Sequence, residues 1–508
     1  MTGRQNILMI VLGAVLLAAP AAAKPGDAEA GKTTYLKRCV FCHGADGDGR
    51  GPAAERLNPP PRDFTQAQYK FKTTAFDDMV PNDDDLMRMV RDGMPGTAMP
   101  GWKSLLSEQQ MWDVIAYVKT FAELEKEVPT KQVDYGAQVS SSADSIAKGK
   151  TLFEDRCVEC HGLAGKEVAV KKLNDDSRHR TWPRNFTKSW TFRASNDPRD
   201  IFTRMSIGIP GTQMPSFADP ASNKKMTVEE RWHVANYVAS LAQPARAVRP
   251  ENTVVKARRA DAALPETPDD PSWEQSIPTT FFLVPQIIAK ERFFKPSNDT
   301  ITVRAIYDDK DIALLLEWDD RTKSIVGDPD AEKIADPGMG PDSVAVQLPL
   351  AVPEGMEKPY FGMGDAQHPV NIWQWKSAPA GGRDFVAQLD SRGFADIKRR
   401  EATDVKAVAN YREGTWRVVM KRPLRTGSPE IDHQFAEGRL TPIAFAAWDG
   451  SNGESGSRHT MTTWYWLQLA PPRSHIPYAV AFMVMLLVAG GEWLWAASVA
   501  KRRRQSHA

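Results

Sequence analysis

Cys39-Val40-Phe41-Cys42-His43 and Cys157-Val158-Glu159-Cys160-His161 decide how this chain is read. Each is a C-x-x-C-H pattern, the attachment signature of a c-type haem. Thiols at i and i+3 reach the two vinyl groups of one porphyrin, and the adjacent imidazole meets the iron from the same side. Together the two matches use all four cysteines. A redox disulfide needs no His after the second Cys, and short-spaced zinc pairs call for further Cys or His ligands at suitable spacing. The pattern therefore predicts two covalent haem c groups, one on Cys39, Cys42 and His43, the other on Cys157, Cys160 and His161.

Working outward, the surroundings repeat as well. Gly31 to Arg38 reads as a helix entering Cys39, and Lys148 to Phe153 leads to Cys157 in the same way. Pro61-Arg62-Asp63-Phe64 is answered by Pro183-Arg184-Asn185-Phe186. Asp83 to Asp92 has helical periodicity, with Leu86, Met89 and Val90 on one side. Ser107 with Gln110, and Thr227 with Glu230, are capping-box patterns opening amphipathic helices. Iron in such a site takes His or Met on its far side. Met99 and Met214 hold equivalent places, each in Gly-Thr-x-Met-Pro on a Pro/Gly loop that can hold a thioether still. Met94 is the local competitor to Met99, but Ile209 stands at its counterpart and cannot ligate. Met89 and Met205 sit upstream at helix-like positions suited to core packing.

Both repeats resemble class I cytochrome c domains, especially the dihaem subunits of bacterial respiratory complexes, over almost all of residues 28–242. The resemblance implies small all-helical domains, His/Met axial ligation and electron transfer. Arg62 and Arg184 recur beside each predicted haem, either as partners of its propionates or as solvated loop arginines.

After residue 272 helical periodicity gives way to short alternating runs. Thr300 to Tyr307 and Ile312 to Trp318 read as a hairpin around Asp308-Asp309-Lys310. Ser343 to Leu348, Thr415 to Lys421, Ile443 to Trp448 and Thr462 to Leu469 supply further strands, which predicts an antiparallel β-sandwich. This region resembles the haem-b-binding domain related to the gamma subunit of ethylbenzene dehydrogenase. The pieces that carry the likeness include Leu315-Leu316-Glu317-Trp318-Asp319-Asp320, Phe361-Gly362-Met363-Gly364-Asp365, Asn371-Ile372-Trp373-Gln374-Trp375-Lys376 and Phe445-Ala446-Ala447-Trp448-Asp449-Gly450. It implies one non-covalent haem b held between a Met and a Lys, and a complex with a molybdopterin catalytic subunit and an iron–sulfur subunit. Carried onto this chain, Met363 takes the place of the Met. The lysine falls in the Gly-Ser-Arg-x segment, where this chain has His459. Imidazole binds haem iron well, so ligation survives the change with an altered potential. Lys376 and His368 are rivals for the second ligand. A domain that kept the scaffold without its haem would be a docking module instead.

The ends complete the layout. Arg4, the apolar run Ile7 to Leu17 and Ala21-Ala22-Ala23 read as a secretory signal peptide. Tyr478 to Ala500 is apolar and long enough to span a bilayer, with Glu492 beside Trp493 and Trp495 near an interface. Lys501-Arg502-Arg503-Arg504 follows, which by the positive-inside rule puts the tail in the cytoplasm and the rest in the periplasm of a bacterial inner-membrane protein. The expected order is a signal peptide at 1–23, cytochrome c domains at 25–125 and 145–242, a proline-rich linker at 243–272, a haem b domain at 273–472 and a transmembrane helix at 478–500. A formal charge of +1 gives no case for nucleic acid. No Ser/His/Asp arrangement, nucleotide loop or metalloprotease pattern stands out. The reading is a membrane-anchored electron relay between an oxidoreductase and the respiratory chain, with a self-contained haem oxidoreductase as the alternative.

Overall fold

The computed structural model describes residues 26–163, 165–166, 171–243, 253–352, 358–471 and 476–505. The expected signal peptide lies outside them. The chain forms two compact units, one holding both C-x-x-C-H repeats and the other the strand-rich region.

In the first repeat α1 (Ala28–Arg38) starts on Asp27, whose carboxylate accepts the Glu29 and Ala30 amides. It runs into α2 (Val40–His43), and α3 (Asp83–Asp92) and α4 (Glu108–Thr120) follow. The second repeat answers with α5 (Ala143–Arg156), α6 (Val158–His161), α7 (Pro198–Ile207) and α8 (Val228–Ser240). Between α6 and α7 lies a short hairpin of β1 (Leu173–Asn174) and β2 (Arg180–Thr181). Both expected capping boxes form, Ser107/Gln110 on α4 and Thr227/Glu230 on α8.

The first and last helices of each repeat touch through a glycine. A Cβ on Gly31 would lie 1.9 Å from the Asp113 carbonyl oxygen, and one on Gly149 would lie 2.0 Å from that of His233. Any side chain there would prise the helices apart, because interiors are packed too tightly to absorb it. One turn on, Tyr35 and Phe153 fill the two cores. The repeats are joined by charge-assisted hydrogen bonds. Arg204 donates to the Lys70 and Lys72 carbonyls at 2.8 and 2.6 Å, and Arg88 pairs with Asp200 at 2.9 Å.

The second unit contains β3 (Val254–Arg259), β4 (Thr279–Phe282), β5 (Val284–Pro285), β6 (Thr300–Tyr307), β7 (Asp311–Asp319) and β8 (Ser343–Pro349). A short helix, α9 (Pro329–Ile334), lies between β7 and β8. Next come β9 (Val370–Lys376), β10 (Phe385–Ser391), β11 (Ile397–Arg399), β12 (Lys406–Arg412) and β13 (Thr415–Pro423). The last strands are β14 (Leu440–Trp448), β15 (Thr460–Met461) and β16 (Tyr465–Leu469). The main path runs β11-β10-β9-β8-β14-β16-β3-β6-β7-β13-β12. The sheet folds over itself: Trp375 of β9 packs on Trp318 of β7 and Trp416 of β13 at 6.2 and 4.9 Å between ring centroids. Val344, Val346, Trp373, Trp375, Phe445 and Ala447 alternate into the shared core.

Three expectations need correcting. The sheet is mixed rather than wholly antiparallel, because β3 lies parallel to both β16 and β6. β3 also falls inside the stretch expected to be linker. Its alternation buries Val255 and Ala257 completely, which is what a central strand requires. The expected strand from Thr462 to Leu469 is shorter than read: β15 ends at Met461, before it, and only Tyr465 to Leu469 is strand, in β16. The chain closes on α10 (Ile476–Gln505), whose apolar side chains, Phe482, Leu487 and Trp493 among them, are exposed. Its segment Tyr478–Gln505 is long and apolar enough to cross a membrane.

Candidate functional site

In each repeat the second Cys and its His sit on one short helical turn. Cys39 and Cys157 cap the ends of α1 and α5, and the His43 and His161 amides bond back to their carbonyls, both at 2.9 Å. The four thiols are free of disulfides. Burial raises the Cys39 thiol to about 11 and the Cys157 thiol to about 12.

The imidazoles are oriented by main chain. Nδ1 of His43 donates to the Arg62 carbonyl at 3.0 Å, since a carbonyl can only accept. That leaves Nε2 as the unprotonated nitrogen, the form an iron ligand requires. Nδ1 of His161 is buried and looks to the Arg184 carbonyl, although that contact falls short of full hydrogen-bond geometry. Phe64 stacks on His43 and Phe186 on His161, each with ring centroids 4.5 Å apart. Burial lowers both imidazole pKa values, that of His161 to about 4, so the neutral form prevails. The repeated Pro-Arg-x-Phe element thus acts through its aromatic ring in both repeats and through a hydrogen-bonded backbone carbonyl in the first. In sequence only the arginine side chains of this element stand out, because every residue has a carbonyl.

The two methionine loops match bond for bond. The Met94 amide donates to the Met99 carbonyl at 3.0 Å, and the Ile209 amide to that of Met214 at 3.1 Å. Thr97 Oγ1 donates to the Met94 carbonyl and accepts the Met99 amide, and Thr212 does the same for Ile209 and Met214. Gly93 and Gly208 both have φ of +74°, a left-handed turn that favours glycine. Met94 and Met99 are half-buried. Met205 is buried in the core of its repeat, the place expected for it.

The strand unit holds a cavity of about 480 Å³. Met363 and His459, 96 positions apart in sequence (459 − 363), both line it. Its floor is the face of β8, β9 and β14 opposite the shared core, where the small side chains of Ala345, Ala444 and Ala446 alternate with core residues. Ile372, Leu389 and Phe394 add apolar walls. Met363 has φ of +66°, and its carbonyl is held by the Ser391 hydroxyl at 2.7 Å and the Gly393 amide at 2.9 Å. His459 is fully buried. Its Nδ1 donates to the Gly456 carbonyl at 3.0 Å, while Nε2 is buried with no hydrogen-bond partner. Burial lowers its pKa to about 4. A buried, unprotonated, orphaned nitrogen in an apolar cavity is costly unless something binds it. A neutral imidazole and a thioether lining one largely apolar cavity fit a haem.

Lys376 also lines the cavity, and burial lowers its pKa. His368 does not line it. Its Nδ1 pairs with Asp365 at 3.1 Å outside. The small-residue floor was missed in sequence; Ser343-Val344-Ala345-Val346-Gln347 carries it as a small or polar residue at every second place.

A cytochrome c family profile matches residues 28–122 and 146–242, and an ethylbenzene dehydrogenase profile matches residues 270–395 and 388–460. The chain is 27% identical, over 45% of its length and 78% of the relative's, to a protein of Haloferax mediterranei described as a respiratory nitrate reductase heme subunit. It is 28% identical to the dimethylsulfide dehydrogenase subunit gamma of Rhodovulum sulfidophilum, over 46% of this chain and 87% of that one. It is 36% identical to cytochrome c55X of Paracoccus denitrificans, over 22% of this chain and 92% of that one. Cytochrome c domains imply covalent haem c.

Proposed function

The chain belongs to the cytochrome c family through its two N-terminal repeats and carries a domain of the ethylbenzene dehydrogenase family behind them, and from that premise we propose that it is a membrane-anchored, three-haem electron relay. Cys39 and Cys42 hold one haem c, with His43 and Met99 as axial ligands. Cys157 and Cys160 hold the other, with His161 and Met214. Met363 and His459 hold one haem b. The haems supply one-electron transfer; the side chains bind them, orient the imidazoles and close the axial positions. Irons closed by six ligands suit electron transfer rather than substrate activation.

One observation carries the third site: the partnerless Nε2 of His459, in a cavity that Met363 also lines. The respiratory nitrate reductase and dimethylsulfide dehydrogenase subunits similar to this chain support a place in an oxidoreductase complex. The partners in this reading are a molybdopterin catalytic subunit and an iron–sulfur subunit. α10, whose C-terminal end carries Lys501 to Arg504, anchors the complex in the bacterial inner membrane with its tail cytoplasmic and both units periplasmic.

Affinity purification of the full chain from native membranes tests this. The expected result is co-purification of stoichiometric molybdenum and of haems that are reduced or oxidised on adding the partner's substrate. A chain that elutes without molybdenum, and whose haems exchange no electrons with a co-purified enzyme, contradicts it.

A further inference from the structure

The carbonyl that orients His459 also serves a second donor. Nδ1 of His459 and Nε1 of Trp448 both donate to the Gly456 carbonyl, each at 3.0 Å. The indole also lies against the imidazole, with ring centroids 4.7 Å apart and planes tilted by 37°. All three residues line the cavity. Gly456 has φ of +57°, a conformation that glycine adopts at little cost. The contrast with the first repeat is sharp. Among the described residues the Arg62 carbonyl accepts from His43 alone.

An imidazole that donates strongly through Nδ1 becomes a more basic ligand through Nε2 and favours oxidised iron. A carbonyl has two lone pairs and can serve two donors, but each donor draws charge from the oxygen and weakens its hold on the other. We propose that Trp448 is a positioning residue that sets the potential of the haem b: by sharing the Gly456 carbonyl it keeps His459 a weaker donor and the iron easier to reduce. This rests on the haem b reading of the cavity. Trp448 touches His459 and need not touch the iron.

The test is a redox titration of the full, detergent-solubilised chain, with haem b followed separately from haem c. Trp448→Phe removes the N–H and keeps an aromatic ring. Replacing Trp448 by benzothienylalanine, in which sulfur takes the place of the N–H, keeps the size of the ring as well. Both variants are expected to move the haem b potential in the negative direction and leave both haem c potentials in place. The two haem c groups are internal controls, since a loosened fold would not select one haem. An unmoved or positive haem b potential in the benzothienylalanine variant overturns the proposal. So does loss of haem b from that variant, which would make the N–H a support of the cavity rather than a tuner of His459. A wild-type chain with haem c but no haem b overturns the cavity reading itself, and that outcome is distinct because no b-type titration exists to compare.

Discussion

The helical repeats and the strand-built cavity solve one problem in two ways. In both, a main-chain carbonyl takes the Nδ1 proton of a histidine and leaves Nε2 to bind: Arg62 does so for His43, and Gly456 for His459. In both, a methionine sits on a loop with left-handed backbone, beside Gly93 and Gly208 in the repeats and at Met363 itself in the cavity. They differ in retention. The repeats have two thiols each, which on the proposed function would keep a haem in place whatever happens to its axial ligands. The cavity has none among its lining residues, so on the same reading only the small-residue floor, the apolar walls, Met363 and His459 would hold an occupant. The lesson is that ligand geometry and cofactor retention are separable, and the two regions separate them within one chain.

The sharpest way to break the comparison is His459→Ala. It is expected to remove haem b completely and leave both haem c groups, read as the ratio of the two types in a pyridine haemochrome assay. Met99→Ala and Met214→Ala should do the reverse. The porphyrin stays covalently bound, but one iron per variant turns high-spin and binds carbon monoxide, seen by absorption and electron paramagnetic resonance. Loss of the haem itself in either variant would erase the distinction.

A third change probes the scaffold of the repeats. Gly149→Ala places a methyl 2.0 Å from the His233 carbonyl oxygen and should destabilise the second repeat by about 3 kcal/mol, measured by thermal melting followed at its haem band. The smallest effect concerns the strand unit. Asp320, Asp342 and Asp449 lie buried together, and burial with like charge raises the pKa of Asp320 and Asp342. Burial, with Asp449 nearby, raises that of Glu454 to about 8. Such groups keep their protons in the folded chain at pH values where the unfolded chain has lost them. Their contribution to stability is therefore present below the ordinary carboxylate range near pH 4 and declines as pH rises, through about 8 for Glu454. The tryptophan-fluorescence melt of the full chain should fall by several degrees between pH 5 and 8, and Asp342→Asn should flatten that slope.

Much of this was legible in the residues. The two C-x-x-C-H segments, the paired capping boxes and the matching Gly-Thr-x-Met-Pro loops depend on local chemistry, and local chemistry is what a sequence displays. Met363 and His459 were legible only through family resemblance, since nothing local says that positions so far apart share a cavity. The place of β3 was hidden because parallel pairing with β16 and β6 is non-local and its flanks are rich in proline. The histidine-orienting carbonyls were hidden for another reason: every residue has a carbonyl, so Arg62 and Gly456 advertise nothing. Trp448 likewise read as one more aromatic in a strand.

The most direct test of the account is to count haem by type on the purified wild-type chain before and after acid–organic extraction. The account predicts two haem c and one haem b per chain, with only the haem b extracted. A chain that gives up all its porphyrin, or that holds haem c alone, would contradict it.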